Sequence, residues 1–170
     1  AEVPQGQSGT LYFRVSPIAP FEYYKDQKKT DSVHRDGYFT LGDVGYLDED
    51  GYLFLTGRTA ECIISGGVNI YPQEIDNELI KHPAVEDSCA IGVPNEEWGE
   101  EVKVVLMLKP GFEPGEALTA DILAFARQRL AGFKVPRSVD FVDDLPRSPA
   151  GKIQRGKVRA PFWAGRKVQI

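Results

Sequence analysis

Hydrophobic positions follow two regimes along the chain. Up to about residue 58 they form short alternating stretches broken by Gly and Pro; from about residue 61, apolar runs alternate with helical spacing. Leu11 to Val15 reads as a short strand, flanked by Gly6 and Gly9 before it and Pro17 after it. Residues 16–35 read as a loop with at most a short helix, and Asp36-Gly37 as a turn. Val44 to Leu47 and Tyr52 to Thr56 read as strands joined through Asp48-Glu49-Asp50-Gly51, a hairpin signal.

Beyond Gly57 the pattern changes. Cys62 to Ser65 is apolar and runs into Gly66-Gly67. Pro72 opens a helix, a position where its missing N–H costs nothing, with Ile75, Leu79 and Ile80 as the apolar face. Val85 to Val93 and Val102 to Leu108 read as strands. Thr119 reads as the cap of a helix that carries Ile122, Phe125, Ala126 and Leu130 and stops at Gly132. Val139 and Phe141 alternate as in a strand, and a last helix is expected from Gln154 to about Trp163. The expected class is α+β: a β-rich part over 1–58, a joint at 59–61, and a mixed sheet with flanking helices over 62–170.

Composition narrows the function. With 170 residues, 42% hydrophobic and 26% charged, the chain is long enough for a real core. A formal charge of −5 without a dense Lys/Arg block argues against a nucleic-acid partner. The longest purely apolar run, Val104 to Leu108, is too short to cross a bilayer. The N-terminus has no signal-peptide pattern, and it begins with Ala, which suggests a start inside a longer protein. Cys62, Cys89, His34 and His82 show no metal-ligand spacing, so no metal site is expected. With a cytoplasmic reading, the two cysteines are expected as free thiols.

Three places carry candidate chemistry. If the hairpin turns at Asp48 to Gly51, Leu47 faces Tyr52, Asp43 faces Thr56 and Leu41 faces Arg58. Asp43 and Arg58 are then diagonal neighbours on one face, roughly 7 Å apart. A carboxylate beside a guanidinium can hold a vicinal diol, one accepting from the hydroxyls and the other donating. On spacing alone, an exposed ion pair at a hairpin end is the simpler account. Lys152 lies in a Pro/Ser/Gly loop and can reach outward, as any solvated lysine can. Ser65-Gly66-Gly67-Val68-Asn69 lets backbone approach a ligand, but it lacks the Gly-Lys-Ser/Thr ending of a phosphate loop.

Taken together, three blocks resemble the closing third of the adenylate-forming superfamily, which includes acyl- and aryl-CoA synthetases, luciferase and peptide-synthetase adenylation domains. They are Gly37-Tyr-Phe-Thr-Leu-Gly-Asp-Val-Gly45, Gly57-Arg-Thr-Ala-Glu-Cys-Ile-Ile-Ser-Gly-Gly-Val-Asn-Ile-Tyr-Pro-Gln-Glu-Ile75 and Pro146-Arg-Ser-Pro-Ala-Gly-Lys152. The resemblance implies an acid–thiol ligase using ATP, Mg²⁺ and CoA, with a fatty or aromatic acid as substrate. It maps Asp43 and Arg58 to the ATP ribose, and Lys152 to the substrate carboxylate and α-phosphate. Ser65, Gly66, Gly67 and Trp98 map to the CoA channel, and Ala60 to the hinge, where relatives usually carry Asp or Lys. Phe133, Lys134 and Arg137 resemble a segment near the CoA nucleotide in some relatives.

Relatives carry a phosphate loop and an acyl pocket upstream, so the missing N-terminal domain of the same protein is an expected partner. The 170 residues are expected to be inactive alone. Lys152 also resembles a site of acetylation, which implies a lysine acetyltransferase and deacetylase as partners. An adenylation domain loading a carrier protein shares these motifs, and a non-catalytic module retaining the fold is the remaining alternative.

Overall fold

The computed structural model describes residues 2–165. It has two compact units, Ala1–Ala60 and Glu61–Ile170, and a 3₁₀ turn at Thr59–Glu61 covers the division.

In chain order the first unit carries β1 (Gly9–Thr10), β2 (Phe13–Arg14), α1 (Gln27–Val33), β3 (His34–Arg35), β4 (Tyr38–Phe39), β5 (Asp43–Leu47) and β6 (Leu53–Arg58). They form two small sheets, β1-β5-β6 and β2-β4-β3. The strand expected over Leu11 to Val15 shrinks to Phe13–Arg14 because its ends serve different sheets. Leu11 N donates to Asp43 O at 2.9 Å, and Val15 N to Gly37 O at 3.0 Å. In α1, Asp26 Oδ1 accepts from Lys29 N at 3.0 Å, an N-cap bond that starts the helix inside the expected loop.

The hairpin register differs from the expected one in two places. Leu47 pairs with Leu53, not Tyr52, since Asp48 N donates to Tyr52 O and Asp48 Oδ1 takes Tyr52 N at 2.8 Å, which lengthens the turn by one residue. A bulge between Val44 and Gly45 adds a second residue. Asp43 therefore lies directly opposite Arg58, in place of Thr56, and Leu41 does not face Arg58. One slip would have put Asp43 and Arg58 on opposite faces; two restore the shared face.

The second unit carries β7 (Ile63–Ser65), β8 (Val68–Ile70), α2 (Pro72–Leu79), β9 (Val85–Asn95), β10 (Gly99–Leu108), α3 (Glu116–Arg127), β11 (Ser138–Phe141) and α4 (Arg155–Trp163). β10 organises a five-stranded mixed sheet. It runs antiparallel to β9 along its whole length, parallel to β11 over Lys103 to Leu106, and meets β7 at Gly99↔Ser65. Side chains alternate between two layers. Val104 and Leu106 join Ile75, Leu79 and Ile122 on the α2/α3 side, while Val105 joins Cys89, Ile91 and Leu145 on the side packed by Val158 and Phe162 of α4. Burial on both faces is why Val104 to Leu108 reads as a continuous apolar run and not as an alternating one.

Two helix expectations shift. Ile80 is exposed; the inward face of α2 is Pro72, Ile75, Asp76 and Leu79, an i, i+3, i+4, i+7 stripe with an acid inside it. α3 is capped by Gly115, not Thr119, whose N–H already donates to Gly115 O at 2.9 Å. The helix ends at Arg127, short of Gly132. Cys62 and Cys89 are free.

Candidate functional site

Asp43 opens β5 and Arg58 closes β6, so the hairpin sets them side by side. Arg58 Nε donates to Asp43 Oδ1 at 3.0 Å, with 58% and 25% of the two side chains exposed. Among the described residues, Asp43 Oδ2 and the Arg58 Nη atoms have no other partner. An acceptor and a fork of donors thus face solvent together, the set a cis-diol needs.

Lys152 sits on a second hairpin, closed at its base by the Arg147↔Ile153 bridge. Ser148 N donates to Lys152 O and Gly151 N to Ser148 O, both at 2.8 Å; Gln154 N donates to Pro146 O at 2.7 Å. Gly151 supplies the positive φ of 79° that the turn requires. Lys152 is exposed, and its ammonium has no partner among the described residues.

Ser65, Gly66, Gly67 and Trp98 come together. Gly66 and Gly67 form the two-residue turn between β7 and β8 with φ of 56° and 79°, the paired left-handed geometry of a tight hairpin. Gly66 N donates to Trp98 O at 2.8 Å, and a Cβ on Gly66 would lie 2.5 Å from the Trp98 ring. Backbone and indole therefore stack at van der Waals contact, with Trp98 46% exposed. Lys134 pairs with Glu74 at 2.7 Å, Phe133 is exposed, and Arg137 spends its N–H on Val102 O. Ala60 lies exposed in the 3₁₀ turn.

The Lys152 hairpin and the Gly66 turn occupy opposite ends of the β9–β10 ribbon. Arg147 of the first reaches Asp87, near the start of β9, whereas the second meets Gly99, which pairs with Asn95 at the end of β9. At the usual strand rise these ends are roughly 26 Å apart.

Sequence reasoning missed the charged network that carries these parts. Arg155, 8% exposed, pairs with Asp76 at 2.9 Å and Glu61 at 3.1 Å, and donates to Ala90 O at 2.6 Å. Asp76 also accepts from Ser88 Oγ at 2.8 Å and Ala90 N at 2.7 Å. Burial pushes the Asp76 carboxyl up to about 6, while the Arg155 charge and these hydrogen bonds pull the other way. Beside them, burial pushes the Cys89 thiol up to about 12, and Cys62 is raised for the same reason, so neither is an activated nucleophile. The legible signal was Asp76 itself, an acid on an otherwise apolar helical stripe. Arg159 similarly bonds Glu100 at 2.6 Å and Gly92 O at 3.2 Å, fixing α4 along β9. Among the described residues no helix is long and apolar enough to cross a membrane, and no cluster of three His, Cys, Asp or Glu is poised for a metal.

The second unit is a mixed-sheet body that bears a lysine hairpin at one end and a Gly-Gly/Trp corner at the other. Residues 74–152 match the AMP-binding enzyme C-terminal domain. Feruloyl-CoA synthase of an Amycolatopsis species is 44% identical over 161 residues, covering 94% of this chain and 32% of that protein. The fatty acid–[acyl-carrier-protein] ligase ScoC of Streptomyces coeruleorubidus is 39% identical over 169 residues, covering 98% of this chain and 32% of that protein. The ATP-bound RpMatB-BxBclM chimera B1 superposes with a TM-score of 0.86 at 40% identity, over 97% of this chain and 33% of that one. The chain carries the C-terminal domain of the AMP-binding enzymes over residues 74–152 and matches the C-terminal part of its relatives. It spans about a third of the length of the curated relatives it matches.

Proposed function

We propose that this chain is the C-terminal portion of an AMP-forming acid–thiol ligase acting on a fatty or aromatic acid, with CoA as acceptor. One observation carries the reading: a free lysine hairpin and a Gly-Gly/Trp corner stand at opposite ends of one compact sheet unit. A body of this shape, turning about Ala60, offers one end at a time to a reacting centre.

ATP, when bound, supplies the phosphorus that the substrate carboxylate attacks. Asp43 accepts from the ribose hydroxyls and Arg58 donates to them. The Lys152 ammonium sits between two anions and offsets the charge that builds as pyrophosphate leaves. At the other end, the Gly66-Gly67 backbone and the Trp98 face make a narrow wall, with Ser65 beside them, for the thiol arm of CoA. The thiol sulfur bonds to the acyl carbon as the C–O bond to AMP breaks; AMP leaves with the bridging oxygen from the substrate carboxylate, and the thiol proton goes to solvent. Mg²⁺ accompanies ATP in this reading, and we assign it no ligand in this chain. Two free cysteines fit a reducing, cytoplasmic setting. Exposed Lys152 is open to a lysine acetyltransferase, and acetylation would remove its charge. A carrier-borne thiol is the second reading, favoured by the ScoC likeness.

The test compares two half-reactions in a ligase that contains this chain. Lys152→Ala lowers acid-dependent pyrophosphate release about a hundredfold or more, while thioester formation from ready-made acyl-AMP and CoA survives. Equal loss in both halves overturns the role of Lys152. The 170-residue chain alone gives no pyrophosphate; turnover of about 1 per second or faster overturns the partial-enzyme reading. Replacing CoA with a carrier protein in the second half-reaction separates the two acceptors.

A further inference from the structure

We propose that Arg147 is a positioning residue for Lys152: its guanidinium fork ties the Gly151 carbonyl to the Asp87 carboxylate and so aims the lysine's hairpin from the start of β9. The inference rests on the reading of Lys152 given above.

Backbone bonds settle the shape of this hairpin but not its direction. The bridge Arg147↔Ile153 closes its base, and the bonds between Ser148, Gly151 and Lys152 close its turn. Ile153, at the base, packs against the Cys89 and Ile91 layer, but the tip, Pro149 to Lys152, is exposed. Among the described residues, one side chain ties that tip to the sheet by hydrogen bonds. Arg147 Nη1 donates to Gly151 O at 2.9 Å, and its Nη2 donates to Asp87 Oδ2. The bonded carbonyl belongs to the residue immediately before Lys152, so the tie acts one peptide from the lysine.

The anchor is itself fixed. Asp87 Oδ1 accepts from Ser88 N at 2.9 Å, and Asp87 lies in β9, paired with Met107 of β10. A planar fork bonding two acceptors through two nitrogens is what arginine provides and lysine does not. The pair is open on the arginine side, with 41% of the Arg147 and 18% of the Asp87 side chain exposed. A partly exposed pair contributes modestly to folding, whereas a small error in aiming a catalytic group costs rate steeply. Arg155, three residues beyond Lys152, makes the opposite case: its partners Asp76 and Ala90 O are buried, and its role is to hold the unit together.

The experiment uses the ligase containing this chain and measures both half-reactions for wild type, Arg147→Ala, Arg147→Lys, Asp87→Asn, Arg147→Ala/Asp87→Asn and Lys152→Ala. Arg147→Ala is expected to slow acid-dependent pyrophosphate release about tenfold or more, with thioester formation from acyl-AMP within about twofold of wild type. Arg147→Lys restores part of the loss. Asp87→Asn slows the same half-reaction, and the double variant is no slower than Arg147→Ala, because both act through one tie. Equal loss in both half-reactions, or an unchanged first one, overturns the proposal. If Lys152→Ala leaves the first half-reaction intact, the reading of Lys152 has failed. If Lys152→Ala abolishes it and Arg147→Ala does not touch it, only the present inference has failed. Amide exchange on the 170-residue chain adds a readout without chemistry. Arg147→Ala should speed exchange at Gly151 and Lys152 and leave β9 and β10 unchanged; faster exchange throughout the unit points to a structural role and overturns the proposal.

Discussion

In the second unit, Ile75, Leu79, Val104 and Ile122 are each 0% exposed, whereas in the β5–β6 hairpin Leu53, Phe54 and Leu55 are 47%, 46% and 64% exposed. Both regions contain strands rich in apolar residues. β9 and β10 lie between two layers of packed side chains, and their pairing is backed by removal of apolar surface from water, about 2 kcal/mol for each such side chain. The β5–β6 pair rests on a short ladder and on contacts such as the stacked Tyr46–Phe54 rings, 5.3 Å apart. The stability of this chain is therefore concentrated in residues 61–170, and the Asp43–Arg58 pair sits on the weaker support.

That contrast can be broken by substitution. Both tryptophans, Trp98 and Trp163, lie in the second unit, so fluorescence reports on that unit while far-UV circular dichroism reports on both. The largest effect is expected from Arg155→Ala, which removes the charge that opposes the burial of Asp76, so that this acid must take up a proton or stay uncompensated in the interior; the fluorescence transition in urea should lose about 3–5 kcal/mol. A loss under about 1 kcal/mol would show that the buried network does not hold the unit. Gly66→Ala should cost about 1–3 kcal/mol, because its Cβ meets the Trp98 ring and its φ of 56° is strained for alanine. The Trp98 emission should move with it; unchanged emission and stability would mean that the turn and the indole are not in contact. The smallest effect belongs to Leu55→Ser. On an exposed strand face it should change stability by no more than about 0.5 kcal/mol in a dichroism melt, and a loss comparable to that of a core leucine would erase the contrast between the units.

Much of the fold was legible, for local reasons. Pro72 fixed the start of α2 because its ring suits the first helical turn, and Gly66-Gly67 marked a turn that only glycines enter without strain. The apolar runs of β9 and β10 announced themselves because strands covered on both sides have no polar face to interrupt them. Errors fell where a single residue of slack matters. The Asp43 register needed a turn lengthened by Asp48 Oδ1 and a bulge at Val44/Gly45, and no short-range signal in the sequence encodes the bulge. Ile80 and Asp76 were exchanged for a similar reason: periodicity admits either on the inner stripe, and only a partner for the carboxylate makes burying the acid tolerable.

By itself, then, the sequence determined the β5–β6 hairpin, α2, β9, β10 and α4, and it singled out Asp43, Arg58, Lys152, Gly66 and Gly67 as candidates, since all of these follow from local geometry or from motif spacing. The tertiary structure alone decided which distant groups meet. Arg155 finds Glu61 and Asp76, Arg147 finds Asp87, and Trp98 closes over Gly66. These contacts join residues tens of positions apart in the chain. Their partners are chosen by the way α2, α4 and the Lys152 hairpin pack on β9, a choice made by burial and charge pairing across the whole unit, which no local pattern specifies.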